Sequence, residues 1–207
     1  MWKFLKSHWI MSLIGLVILL MVVTTLIYAI ATREGDIGLL EGTTGKGLRW
    51  KTTPITCVYD LGSSMTAQAL EMYDSARKEI NSQFSKDVIG ACVPWALKRK
   101  MPEVIKGELV LNLGPPSPPA EGVTVYDPFE SKAGGTTYLH EDDQGFIGAA
   151  QLYMVEVSNR KVWLHELGHV MGLAHDRRMD SIMYPSLNDR GIELSSKDIK
   201  LLREAYE

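Results

Sequence analysis

His165-Glu-Leu-Gly-His-Val-Met-Gly-Leu-Ala-His-Asp176 decides how this chain is read. His165 and His169 are four residues apart, so a helix puts them on one face, one turn above the other. At that spacing two imidazole nitrogens reach one metal ion at about 2.0–2.1 Å each. Glu166 stands beside the first of them, close enough to touch water on that ion without being a ligand. Gly172 falls where the helix should end, and glycine can take the left-handed conformation that turns the chain back. The reversal brings His175 round as a third nitrogen. Three histidines on zinc leave the fourth position open for water, the arrangement of catalytic rather than structural sites.

Downstream, Ser181-Ile-Met-Tyr-Pro185 places Met183 eight residues after His175. A bare H-E-x-x-H occurs by chance, and histidines merely satisfied on a buried helix are the competing reading. The glycine, the third histidine and the methionine turn together make the pattern far more specific. Residues Val162 to Pro185 resemble the metzincin clan of zinc endopeptidases, and Met183-Tyr184-Pro185 with Asp176 resembles its matrixin branch.

That resemblance implies an α+β fold: a twisted mixed sheet packed with a long helix and an active-site helix, then a small C-terminal part ending in a helix. It implies one catalytic zinc on His165, His169 and His175, with Glu166 as general base and Met183 as a packing floor beneath the ligands. It implies a protein or peptide substrate bound in extended form, paired to the strand just before the zinc helix as the edge of the sheet. Asp176 is read as holding its loop by hydrogen bonds. Tyr184 is left out of the metal shell, because the tyrosine ligand of some metzincins lies two residues past the methionine and Tyr184 adjoins it.

The chain has 207 residues, 45% of them hydrophobic, and a net charge of −3. That suits one ordinary domain with an appendage. With no basic stripe interleaved with aromatics, nucleic acid is not an expected partner. The appendage is N-terminal: residues 9–31 carry no Asp, Glu, Lys or Arg. At 1.5 Å per residue the stretch is roughly 33 Å long, enough for a bilayer core. Lys3 and Lys6 precede it, while Arg33, Glu34 and Asp36 follow, so the positive-inside rule puts the N-terminus in the cytoplasm and the rest outside. The division expected is 1–31 for a cytoplasmic tip and transmembrane signal-anchor, 32–47 for a flexible stalk rich in Gly and Thr, and 48–207 for the peptidase domain. The rival is secretion after cleavage near Ala31, since Ala29-Ile-Ala31 has the small-x-small form; the length of the apolar run favours the anchor.

Cys57 and Cys92, an even pair in an exported domain, suggest a disulfide; two buried thiols are the alternative. The first strand is placed over Leu48–Asp60. A long amphipathic helix is placed over Met65–Phe84 with Ser64 as cap, so that the disulfide ties the first strand to the helix's exit. Further strands are placed at Glu108–Leu113, Val123–Tyr126, Thr136–His140 and Gly148–Val157. The zinc helix runs from about Arg160 to Met171, capped by Ser158 or Asn159. A last helix opens near Ser195, with Ile199, Leu202 and Tyr206 as its apolar stripe. On the acidic turn Glu141–Gly145, Asp142, Asp143 and His140 are candidates for calcium, but no calcium-loop spacing is present and a solvated turn is the simpler reading. A second function class also fits: a membrane-anchored binding or assembly protein with a non-catalytic zinc site. The intact Glu166 argues against it.

Overall fold

The structure, a computed structural model, describes residues 19–24, 38–41, 46–60, 66–95, 105–116, 124–125, 134–186 and 191–207. The chain divides into two units, Met1–Gly35 and Asp36–Glu207. In the first, residues 19–24 are helical with exposed side chains, and the Thr24 hydroxyl donates back to the Leu20 carbonyl at 2.8 Å. The rest of the apolar stretch 9–31 lies outside the described residues. Among those described, no helix is long and apolar enough to cross a membrane.

The second unit is built on one six-stranded sheet. In chain order its elements are β1 (Ile55–Tyr59), α1 (Ala67–Asn81), β2 (Ile89–Pro94), β3 (Glu108–Leu113), β4 (Thr124–Val125), β5 (Gly135–Glu141), β6 (Ile147–Met154), α2 (Arg160–Val170) and α3 (Ser196–Tyr206). The strand order is β2-β1-β3-β6-β5-β4. β2, β1, β3 and β6 run parallel to one another, and β5 is antiparallel to both β6 and β4. Leu109 and Leu111 of β3 and Leu152 of β6 share one core with Ile55, Cys57 and the two long helices. Val58 and Val110 form a separate cluster with Trp95 and Ile105, as the two-residue period of a strand requires. Between the helices, Tyr73 and Trp163 meet edge to face with ring centres 6.2 Å apart. Both are fully buried, and each polar tip finds a carbonyl: Tyr73 that of Gly90 at 2.9 Å, Trp163 that of Val157 at 2.9 Å.

Several expectations are corrected. β6 is not an edge strand: it lies between β3 and β5, and the sheet ends at β2 and β4. Nearly every residue of β6 is buried, which suits a strand paired on both sides. The cap of α1 is Thr66, whose side chain accepts the Ala69 N–H at 3.1 Å; Ser64 lies outside the described residues. The segment after α1 contains a strand, β2, not foreseen, because Gly90 and Pro94 weaken its signal. Pro94 ends it at the sheet's margin, where a missing N–H is tolerated. Cys92 therefore sits on β2 in register with Cys57, and the disulfide between them, with Cα atoms 4.3 Å apart, joins two neighbouring strands rather than a strand and a helix exit.

Within the stretch read as a stalk, residues 38–41 and 46–47 are described, and there the backbone is bonded into the domain. Leu40 N–H donates to the Gly172 carbonyl at 2.7 Å, Ala174 N–H to Gly38 at 3.0 Å, and Leu48 N–H to Leu40 at 2.7 Å.

Candidate active site

α2 is assembled by its ends. Asn159 caps its start, accepting the Lys161 N–H at 3.1 Å. The run Val162–Val170 is buried throughout. At the other end Gly172 takes a φ of +92°, and a two-bond reversal forms: Gly172 N–H to the His169 carbonyl at 2.8 Å and Leu173 N–H to Gly168 at 2.9 Å. A helix end leaves carbonyls without partners. Here three of them draw donors from distant chain: Val170 from the Trp50 indole at 2.7 Å, Met171 from the Tyr206 hydroxyl at 2.8 Å, and Gly172 from Leu40. A side chain at position 172 would stand 2.1 Å from the Leu48 carbonyl, so only glycine fits this turn.

The turn brings the three histidines together. His169 Nε2 lies 3.1 Å from His165 Nε2 and 3.2 Å from His175 Nε2. The Nδ1 atoms of two rings are spoken for: His165 by the Ile182 carbonyl at 2.7 Å and His169 by the Leu173 carbonyl at 2.8 Å. A carbonyl only accepts, so each Nδ1 carries the hydrogen and each neutral ring aims an Nε2 lone pair at the other. Such lone pairs do not bond to one another; they suit a shared cation. Two nitrogens on one tetrahedral zinc at about 2.0–2.1 Å stand about 3.3 Å apart, close to the spacing present. Among the described residues this triad is the group of side chains that could hold a metal ion.

The methionine turn supports the rings from below. Were Gly168 to carry a Cβ, it would lie 2.5 Å from the Met183 sulfur, so Met183 packs on bare backbone between the two helical histidines. The turn that carries Met183 also offers the Ile182 carbonyl to His165. It is fixed in turn by the Ser181 hydroxyl, which accepts the Met183 N–H at 3.0 Å and donates to Asp198 at 3.2 Å. Burial pushes the Asp198 carboxyl above its ordinary pKa, against hydrogen bonds from Ser195 and Ser181 that lower it. Asp176, after the third histidine, accepts the Arg178 N–H at 3.0 Å and its guanidinium at 2.9 Å, and holds that guanidinium above its ordinary pKa. It keeps the loop, as expected from sequence.

Glu166 is buried. The Thr137 hydroxyl on β5 donates to its Oε2 at 2.7 Å, and a Cβ at Gly135 would meet its Cγ at 2.7 Å. Neither residue was singled out from the sequence; nor were the carbonyls of Ile182 and Leu173, since main-chain acceptors leave no trace in residue identity. His140 faces Gln151 Oε1 at 3.2 Å. Asp142 accepts the N–H groups of Gln144 and Phe146 at 2.9 Å each. His140, Asp142 and Asp143 form no metal-holding cluster among the described residues; the acidic turn is a closed hydrogen-bonded loop.

The matrixin family model matches residues 120–207. Matrix metalloproteinase-21 of Xenopus laevis is 37% identical over 68 residues, covering 32% of this chain and 11% of the relative. Metalloendoproteinase 5-MMP of Arabidopsis thaliana is 38% identical over 52 residues, 24% and 14% of the two chains. Matrilysin of Felis catus is 33% identical over 91 residues, 38% and 35%. The chain thus spans from about a tenth to about a third of the length of the curated relatives it matches. The family match takes in all of β5, β6, α2, the methionine turn and α3, so the part of this chain that carries the three histidines is similar to the matrixins.

Proposed function

We propose that this protein is a zinc-dependent endopeptidase that hydrolyses peptide bonds in extended protein segments, held by residues 9–31 on the extracytoplasmic face of a membrane. The observation that carries the catalytic part is the convergence of three Nε2 atoms with two Nδ1 atoms anchored on carbonyls. His165, His169 and His175 would hold the ion. When bound, zinc supplies a Lewis acid that lowers the pKa of water to about 7 and polarises a carbonyl. Glu166 takes a proton from the water as its oxygen bonds to the scissile carbonyl carbon. It then delivers that proton to the leaving nitrogen as the C–N bond breaks, giving a carboxyl and an amine. The names of the relatives support a protein substrate. Support for the anchor comes from the uncharged stretch 9–31 and its flanking charges; release after Ala31 would leave a secreted form.

Elemental analysis of the purified protein is expected to find about one zinc, lost in His169→Ala. Glu166→Ala is expected to keep the metal and lose cleavage of casein or a quenched peptide library. Cleavage retained by Glu166→Ala would remove its role as base. A protein with zinc that cleaves no substrate would favour the binding or assembly reading instead. N-terminal sequencing of the mature protein distinguishes anchor from cleaved leader.

A further inference from the structure

We infer that Thr137 is the positioning residue of Glu166: a hydroxyl on the sheet that sets the carboxylate of the general base from behind. The inference rests on the peptidase reading, since it assigns a partner to the base named there. Thr137 sits in the middle of β5, opposite Leu152 of β6, and is fully buried. Its Oγ1 lies 2.7 Å from Glu166 Oε2 and 3.2 Å from the Glu166 backbone carbonyl. A hydroxyl has one hydrogen, and the shorter contact takes it. The bond therefore fixes one carboxylate oxygen to a strand paired on both sides, a firmer support than a loop.

Gly135, two residues earlier on the same face of β5, completes the seat. A Cβ there would lie 2.7 Å from Glu166 Cγ, 3.0 Å from Cδ and 3.0 Å from the Met154 sulfur. The stem of Glu166 thus lies on bare backbone at Gly135 while its head is tethered at Thr137. The pair works as room and peg: one residue contributes the absence of a side chain, the other a single donor. Thr136, between them, faces the opposite side of the sheet by strand alternation. Its Oγ1 is buried without a hydrogen-bond partner among the described residues. Of two adjacent buried threonines, only Thr137 is placed to act on the base.

The test uses the zinc-loaded protein and four variants: Thr137→Val, Thr137→Ser, Thr136→Val and Glu166→Ala. Thr137→Val keeps the shape and removes the donor. It is expected to retain zinc and lower kcat by about 10- to 100-fold with KM changed by less than about 2-fold. Thr137→Ser restores the donor and is expected to return kcat to within about 3-fold of the parent, and Thr136→Val to leave it unchanged. A crystal structure of Thr137→Val supplies a readout apart from turnover: the Glu166 carboxylate is expected to leave its position or split between conformers. Equal losses in the valine and serine variants, an unchanged kcat in Thr137→Val, or an unmoved Glu166 would each overturn the inference. Should the valine variant not fold, Thr137→Ala carries the same comparison against serine. If Glu166→Ala itself still turns over substrate, the role of Glu166 as base fails instead, and the position of Glu166 in the Thr137→Val crystal still decides whether the peg exists.

Discussion

Leu40 and Gly172 meet through one backbone hydrogen bond of 2.7 Å, which fastens the chain ahead of β1 to the turn that presents His175. Leu40→Pro removes the donor and leaves a buried carbonyl unmatched, at a cost of about 1–3 kcal/mol. The expected result is a lower melting temperature and faster loss of zinc to a chelator than in Leu40→Ala, which loses the same buried side chain but keeps the donor. Equal zinc retention in all three proteins would show that the turn holds its shape without this bond.

Gly172→Ala combines two penalties. The left-handed backbone, φ +92°, costs an L-residue about 1–2 kcal/mol. The new Cβ would also sit 2.1 Å from the Leu48 carbonyl, and rigid backbone cannot step aside without moving β1's approach. Denaturant titration is expected to show a loss well above the conformational cost alone. Gly38→Ala, with no atom of the described residues within 4 Å of the added Cβ, serves as the neutral comparison.

Replacing both Cys57 and Cys92 with serine opens a link across 35 residues. In the chain-entropy account this costs about 3–4 kcal/mol. The two strands stay paired through β1's register with β2 and β3, so the double variant is expected to fold with a lowered midpoint and an unchanged zinc content. Loss of zinc in a protein that still melts cooperatively would mean that the bridge shapes the distant triad as well.

Acid should act on the loop at Asp142. The Phe146 N–H, and with it that of Gln144, holds its carboxyl below the ordinary 3.8. Because the folded pKa is the lower one, the unfolded chain takes up protons first as pH falls. The stabilisation is therefore full above the unfolded pKa and lost through the folded one. Melting of Asp142→Asn against the parent is expected to show a gap at pH 7 that narrows below 3.8. A gap independent of pH would assign the effect to the amide rather than to charge.

The sequence carried those features in which side-chain type and spacing state their own purpose. The four-residue interval of His165 and His169, Gly172 at the reversal and Ser195 at the start of the last helix are all readable. So is β3, because Glu108–Leu113 is a buried apolar run. Other features depend on what lies opposite. β2 is not readable because Gly90 and Pro94 weaken its strand signal, and β6's interior place follows from pairing that no local pattern encodes. Thr137 reads like any strand threonine, and only the Glu166 carboxylate 2.7 Å from its hydroxyl sets it apart. Gly168 occupied a variable position of the motif, yet Met183 needs its bare backbone.

Trp50, Tyr206 and Leu40 close the exit of α2 from three directions, with 120 residues between Trp50 and Val170 and 35 between Met171 and Tyr206. Residues ahead of β1 and the last helix therefore both help to hold that exit, so trimming the domain from either side is expected to loosen the turn that carries His175.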